Sequence, residues 1–95
     1  MLHTLSHSPY QSDMDALLRY LRPGDVLVLM QDGVIAALAG TTFVKQIHDL
    51  SIPLYVLRND AEARGVSEQI SCDSIYIDYN QFVRLTVQHS QQLAW

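Results

Sequence analysis

Hydrophobic positions along this chain fall into two alternating patterns, short unbroken runs of strand length and stripes spaced three and four residues apart. Residues 2–5 form the first short run. Ser12 then opens a helix, with Asp15 three residues on in a capping-box pattern. Within it Met14, Leu17, Leu18 and Leu21 make one helical stripe, and Pro23-Gly24-Asp25 ends it. Residues 26–30 follow as a run apolar on both faces, as buried parallel strands are. Gln31-Asp32-Gly33 makes a turn, residues 34–38 a short helical turn, and Gly40 a break after which Thr41 or Thr42 caps the next helix. Phe43, Val44, Ile47 and Leu50 are its inward stripe. A third strand spans 52–57, with Pro53 near its start, where a missing N–H is tolerated. Asn59 or Asp60 caps a short turn closed by Gly65. Residues 75–77 are a fourth strand, and Asp78 caps a last helix whose shared face is Tyr79, Phe82, Val83, Thr86 and Val87.

This alternation predicts an α/β fold: a small three-layer domain over residues 1–95 with a mostly parallel central sheet of four to five strands. The tail is polar from Gln91 until Leu93-Ala94-Trp95, and a terminal Trp marks either a docking contact or a free end. Ninety-five residues suffice for one core, since a chain of this size buries somewhat over about 60% of its unfolded surface. Short helices on a narrow sheet either absorb the 48% of hydrophobic residues or leave apolar surface for an oligomer interface. The longest apolar run is strand-sized, far short of the roughly 20 residues of a bilayer span.

Charge narrows the partners. Six Lys plus Arg against ten Asp plus Glu give a net charge of −4, the wrong sign for a domain that grips a phosphate backbone by itself. Direct nucleic-acid contact is therefore not expected. One cysteine excludes an internal disulfide and points to a reducing compartment, and the first residues have no secretion-signal pattern. The expected address is the cytoplasm.

Ligands of open α/β sheets bind beyond the carboxyl ends of the strands. Asp32, Asn59-Asp60 and Asp78 fall there. Asp32 and Asp78 either pair as acid and base or metal ligands, or serve locally, Asp32 shaping a turn and Asp78 capping a helix. Gly-rich phosphate-binding motifs are missing. His3, His7, His48 and His89 lack tight metal spacing, so no metal site is expected. Cys72 is the one nucleophile with sulfur-carrying capacity. Its neighbours Glu68 and Asp73 disfavour the thiolate, and no Lys or His lies within four residues to offset them.

Several short segments, in order from end to end, resemble the TusB/DsrH family of small sulfur-relay proteins. They are Met1-Leu2-His3-Thr4-Leu5, Ser8-Pro9-Tyr10, Gln31-Asp32-Gly33-Val34, Ala36-Ala37-Leu38-Ala39-Gly40, Leu54-Tyr55-Val56-Leu57, Ala63-Arg64-Gly65, Asp78-Tyr79, Phe82-Val83, Leu85-Thr86 and Ala94-Trp95. The resemblance implies a DsrE/F/H-like fold and a subunit that joins TusC-like and TusD-like chains in a dimer of heterotrimers. It implies a persulfide relay, from a TusA-like carrier through that complex to a TusE-like carrier, ending in 2-thiolation of a tRNA wobble uridine. The sulfur-carrying cysteine of such a complex belongs to the TusD-like chain. The first helix here, where a related branch carries a cysteine, has none, and Cys72 matches no family cysteine. The resemblance thus implies a subunit of a sulfurtransferase complex with no catalytic, cofactor-binding or metal residues of its own. The alternative is that Cys72 itself carries persulfide.

Overall fold

The computed structural model describes all of residues 1–95. Strands β1 (Leu2–Leu5), β2 (Val26–Leu29), β3 (Leu54–Leu57), β4 (Ile75–Ile77) and β5 (Gln92–Ala94) form one sheet in the order β4-β3-β2-β1-β5. Every neighbouring pair is parallel. Four helices intervene: α1 (Met14–Tyr20), α2 (Thr42–Asp49), α3 (Arg58–Ala63) and α4 (Tyr79–Gln88). Two 3-10 segments, Pro9–Gln11 and Gln31–Ala37, extend the connections after β1 and β2. The predicted α/β architecture is therefore the observed one, and the tail is its fifth strand.

Strand alternation sends side chains to two unequal layers. One face carries Leu5, Leu27, Leu29, Leu54 and Val56, packed with Met14, Leu17 and Leu21 from α1, Val44 and Ile47 from α2, Ala61 from α3, and Val34, Ala36 and Ala37 from the long 3-10 segment. The opposite face carries Leu2, Val26, Val28, Leu57 and Ile77, packed with Phe82 and Leu85 of α4. Burying a Leu or Val side chain is worth about 1.5–3 kcal/mol, so the first layer dominates the stability.

The second layer differs from the sequence pattern. Of the expected α4 face, Phe82 and Thr86 turn inward, but Tyr79, Val83 and Val87 face solvent, being 62%, 41% and 81% exposed. The inward positions are Phe82, Leu85, Thr86 and His89, at i, i+3, i+4 and i+7, and α4 has no buried residue at all. Two polar residues in that stripe hid it from a reading by hydrophobicity. Leu50 is likewise exposed, because α2 ends at Asp49 and Leu50 only caps it.

Helix starts also shift. Asp13, not Ser12, caps α1, its carboxylate accepting from Ala16 N–H, while the Ser12 hydroxyl donates back to the Ser8 carbonyl. A charged acceptor on the first-turn N–H groups is at least as good as a hydroxyl, and it fixes the start one residue later. Neither Asn59 nor Asp60 caps α3, which begins at Arg58 directly after β3 with both residues inside it. Asp78 does cap α4, in a full capping box: Gln81 N–H donates to Asp78 at 2.7 Å, and Asp78 N–H donates to the Gln81 side chain at 2.8 Å.

Candidate functional site

At the carboxyl end of β2 the chain turns sharply into its long 3-10 segment. Gly33 lies so close to β1 that a Cβ there would sit 2.0 Å from the Leu5 carbonyl oxygen, so only glycine fits. Gln31, two residues earlier, has φ +50°, a region side chains other than glycine rarely occupy. Its N–H donates to the Asp60 carboxylate at 2.6 Å, which holds the turn against β3's end. One helical turn on, Arg64 Nε donates to Asp32 at 2.9 Å, and its Nη1 donates to the Asp60 carbonyl at 3.3 Å. Gln31, Asp32, Asp60 and Arg64 thus form one polar clasp across the ends of β2 and β3.

Chemically the clasp orders backbone. The Asp32 side chain is 60% exposed, so its ion pair is weakened by water. The suggested Asp32–Asp78 pairing is not what the structure assembles. Asp32 binds Arg64 and Asp78 caps α4, with β3 lying between the strands that precede them. Asn59 is exposed on α3. No group of three or more His, Cys, Asp or Glu side chains is placed to hold a metal ion.

Cys72 is an exposed free thiol on a turn between a bridge at Ile70 and β4. Ser71 N–H binds the Ala37 carbonyl at 2.8 Å, and Asp73 N–H binds the Ser71 hydroxyl at 3.2 Å, so the turn is well tied down. His48 of α2 lies 4.0 Å from the carboxylate of Asp73, the residue after Cys72. Tyr76 of β4 pins the same loop through its hydroxyl, which donates to the Ser67 carbonyl. Burial raises the Tyr76 phenol above its ordinary pKa, with Arg58 over the ring pulling the other way.

A buried polar cluster joins the two ends of the chain, and sequence reasoning missed it. Trp95 Nε1–H donates to His3 Nδ1 at 3.1 Å, and His3 Nε2 lies 2.9 Å from Asp25 Oδ2. An indole nitrogen can only donate, so His3 Nδ1 is the bare nitrogen and Nε2 carries the proton given to Asp25. Asp25 also accepts from the Met1 α-ammonium and Arg22 N–H, both at 3.0 Å. Burial alone would push the Asp25 carboxyl up; the bonds from His3, Met1 and Arg22 outweigh it and hold the pKa at about 2. Its signals were a histidine in an apolar strand and the terminal Trp, which docks on its own chain.

The remaining feature is surface. Tyr79, Val83 and Val87 make an exposed apolar row at i, i+4 and i+8 on α4, and Ile75 on edge strand β4 is 51% exposed. Clustered rather than scattered apolar exposure is what interfaces present.

Sheet order, helix placement and the clasp together define a small parallel-sheet α/β protein of a known fold. It superposes on the crystal structure of the YchN protein from Escherichia coli with a TM-score of 0.77 at 17% identity, covering 99% of this chain and 97% of that one. The solution structure of protein Tm0979 from Thermotoga maritima gives a TM-score of 0.65 at 26% identity, over 96% and 97% of the two chains. Residues 7–92 match the family model described as DsrH like protein, and the chain belongs to that family. Among curated relatives it is 61% identical to Protein TusB of Pectobacterium carotovorum and 53% identical to Protein TusB of Escherichia coli. Each alignment spans 95 residues and the full length of both chains.

Proposed function

We propose that this chain is a non-catalytic subunit of a TusBCD-type sulfur-transfer complex, serving persulfide relay for 2-thiolation of tRNA wobble uridine. Full-length identity to proteins named TusB supports its place in the relay. The observation that carries the subunit reading is the exposed apolar row of Tyr79, Val83 and Val87 on α4, with Ile75 also exposed on edge strand β4. On this reading residues 1–95 act as one domain in the cytoplasm. The chain packs with TusC-like and TusD-like subunits in a dimer of heterotrimers, and TusA-like and TusE-like carriers meet the complex rather than this chain. It contributes no catalytic, cofactor-binding or metal residue, and touches neither nucleic acid nor membrane. No helix is long and apolar enough to cross a membrane.

Co-expression with the TusC-like and TusD-like chains, followed by mass determination of the particle, is the direct test. Two copies of each chain are expected. A Val83→Asp/Val87→Asp variant should keep its own fold, since both residues face solvent, yet be lost from the particle. A stable monomer that ignores both partners would overturn the reading. A second reading, in which Cys72 carries persulfide, is favoured by the exposure of that thiol. Persulfide labelling of the complex, with Cys72→Ser as control, separates the two: label on this chain would establish the second.

A further inference from the structure

We propose that the cleft at the carboxyl end of α1 is a binding site for a phosphate dianion, held between Arg19 and Arg22. A cavity of about 260 Å³ opens there, lined by Ala16, Arg19, Tyr20 and Arg22. That approaches the roughly 300 Å³ at which small-ligand sites begin, and many times the space of one water. The chain has only six Lys and Arg against ten acids. Arg64 is paired with Asp32, and Arg58 lies over the Tyr76 ring. Arg19 and Arg22 share one cleft and neither forms an ion pair, although acids are in excess.

Two guanidinium groups facing one space repel each other, and an anion between them relieves that repulsion. The walls are also fixed from outside the cleft. Arg22 Nη1 donates to the Arg19 and Leu21 carbonyls, which ties one edge of its guanidinium to the end of α1 and leaves Nε and Nη2 without a hydrogen-bond partner in the chain. Tyr20, which lines the space, packs edge-on against Trp95, ring centres 5.5 Å apart. Charge chooses among anions: two cations match the −1.5 to −2 that a phosphate carries near neutral pH, whereas a single carboxylate leaves one uncompensated. The phosphate is either free or the terminal group of a phosphomonoester, and the chemistry at the arginines is the same for both.

The test uses the full chain at constant ionic strength, following the arginine Nε–Hε NMR signals of Arg19 and Arg22 during titration with inorganic phosphate, and in parallel with AMP. Saturable shifts at both arginines are expected. Arg19→Gln should weaken binding about tenfold or more, the factor one charge-assisted hydrogen bond carries. Arg19 is exposed, so this variant leaves the fold intact. Equal affinity for phosphate and AMP would assign free phosphate; tighter AMP would assign the ester; either supports the site. Linear shifts reproduced by chloride, binding that survives Arg19→Gln, or acetate binding as tightly as phosphate would overturn it.

Discussion

The buried cluster around Asp25 offers the sharpest test of the energetics. Asp25→Asn keeps the size of the side chain and removes its charge, leaving the Met1 ammonium and His3 Nε2–H facing an amide. The fall of the Asp25 pKa from 3.8 to about 2, at about 1.4 kcal/mol per pH unit, corresponds to about 2.5 kcal/mol of pH-linked stability. The side chain is only 11% exposed, so solvent screening takes little from that figure. Because the carboxyl is depressed in the folded state, its contribution is complete above about pH 4 and disappears as the pH falls through about 2. Urea unfolding followed by the emission of Trp95, the only tryptophan, reads this directly, since that ring donates to His3 in the same cluster. The variant should be about 2–3 kcal/mol less stable than the parent at pH 7, and the two should converge as the pH approaches 2. Other carboxylates titrate in both proteins, so the difference isolates Asp25. A gap that stays constant from pH 7 to 2, or one below about 1 kcal/mol at pH 7, would refute the role assigned to the cluster.

Three further outcomes are expected from the turn and cap geometry. Gly33→Ala places a methyl 2.0 Å from the Leu5 carbonyl oxygen; urea denaturation should show a loss of about 3 kcal/mol or more, because backbone cannot move aside cheaply. Gln31→Gly removes a side chain from a residue at φ +50°, and should raise the thermal midpoint, by up to about 1 kcal/mol of stability, while leaving the Asp60 contact. Asp78→Ala removes the α4 cap, and should cost about 1 kcal/mol in the same denaturation assay, with amide exchange accelerating first at residues 79–82.

Where side chains and backbone obey one local rule, the fold was legible. Residues 26–30 are apolar throughout and form the central strand with every residue of β2 buried. The Asp78 cap and the α1 stripe were read from spacing alone. Misreadings arose where tertiary contacts choose between local options. Hydrophobicity assigned Tyr79, Val83 and Val87 inward along with Phe82 and Thr86, but α4 meets the sheet through Phe82 and Leu85, and the helix can turn only one face to it. Asp60 looked like a cap, yet its carboxylate reaches 29 residues back to Gln31. The clasp of Asp60 on Gln31 and Arg64 on Asp32, like the His3–Asp25–Trp95 cluster, joins residues remote in sequence, and no periodicity carries such contacts.

The uneven covering of the sheet links its geometry to the proposed assembly. Five strands spaced about 4.8 Å apart present a face about 19 Å across, nearly twice the roughly 10 Å that one helix covers. On the first face three helices and a long 3-10 segment meet that demand, and the core there is closed. On the second, α4 is alone, and Thr4, Met30 and Tyr55 remain only partly buried beside it, with Ile75 exposed at the β4 edge. After α4 the chain returns to the sheet as β5, which extends it to a further edge and widens the face still to be covered. The outward row Tyr79, Val83 and Val87 belongs to this open layer, and apolar groups there gain only when another molecule excludes water from them. A neighbour on that face would bury the outward side of α4 as the sheet buries its inward side. Asp substitutions at Val83 and Val87 should therefore penalise association far more than folding, and hydrogen exchange along α4 should slow when the partners are added.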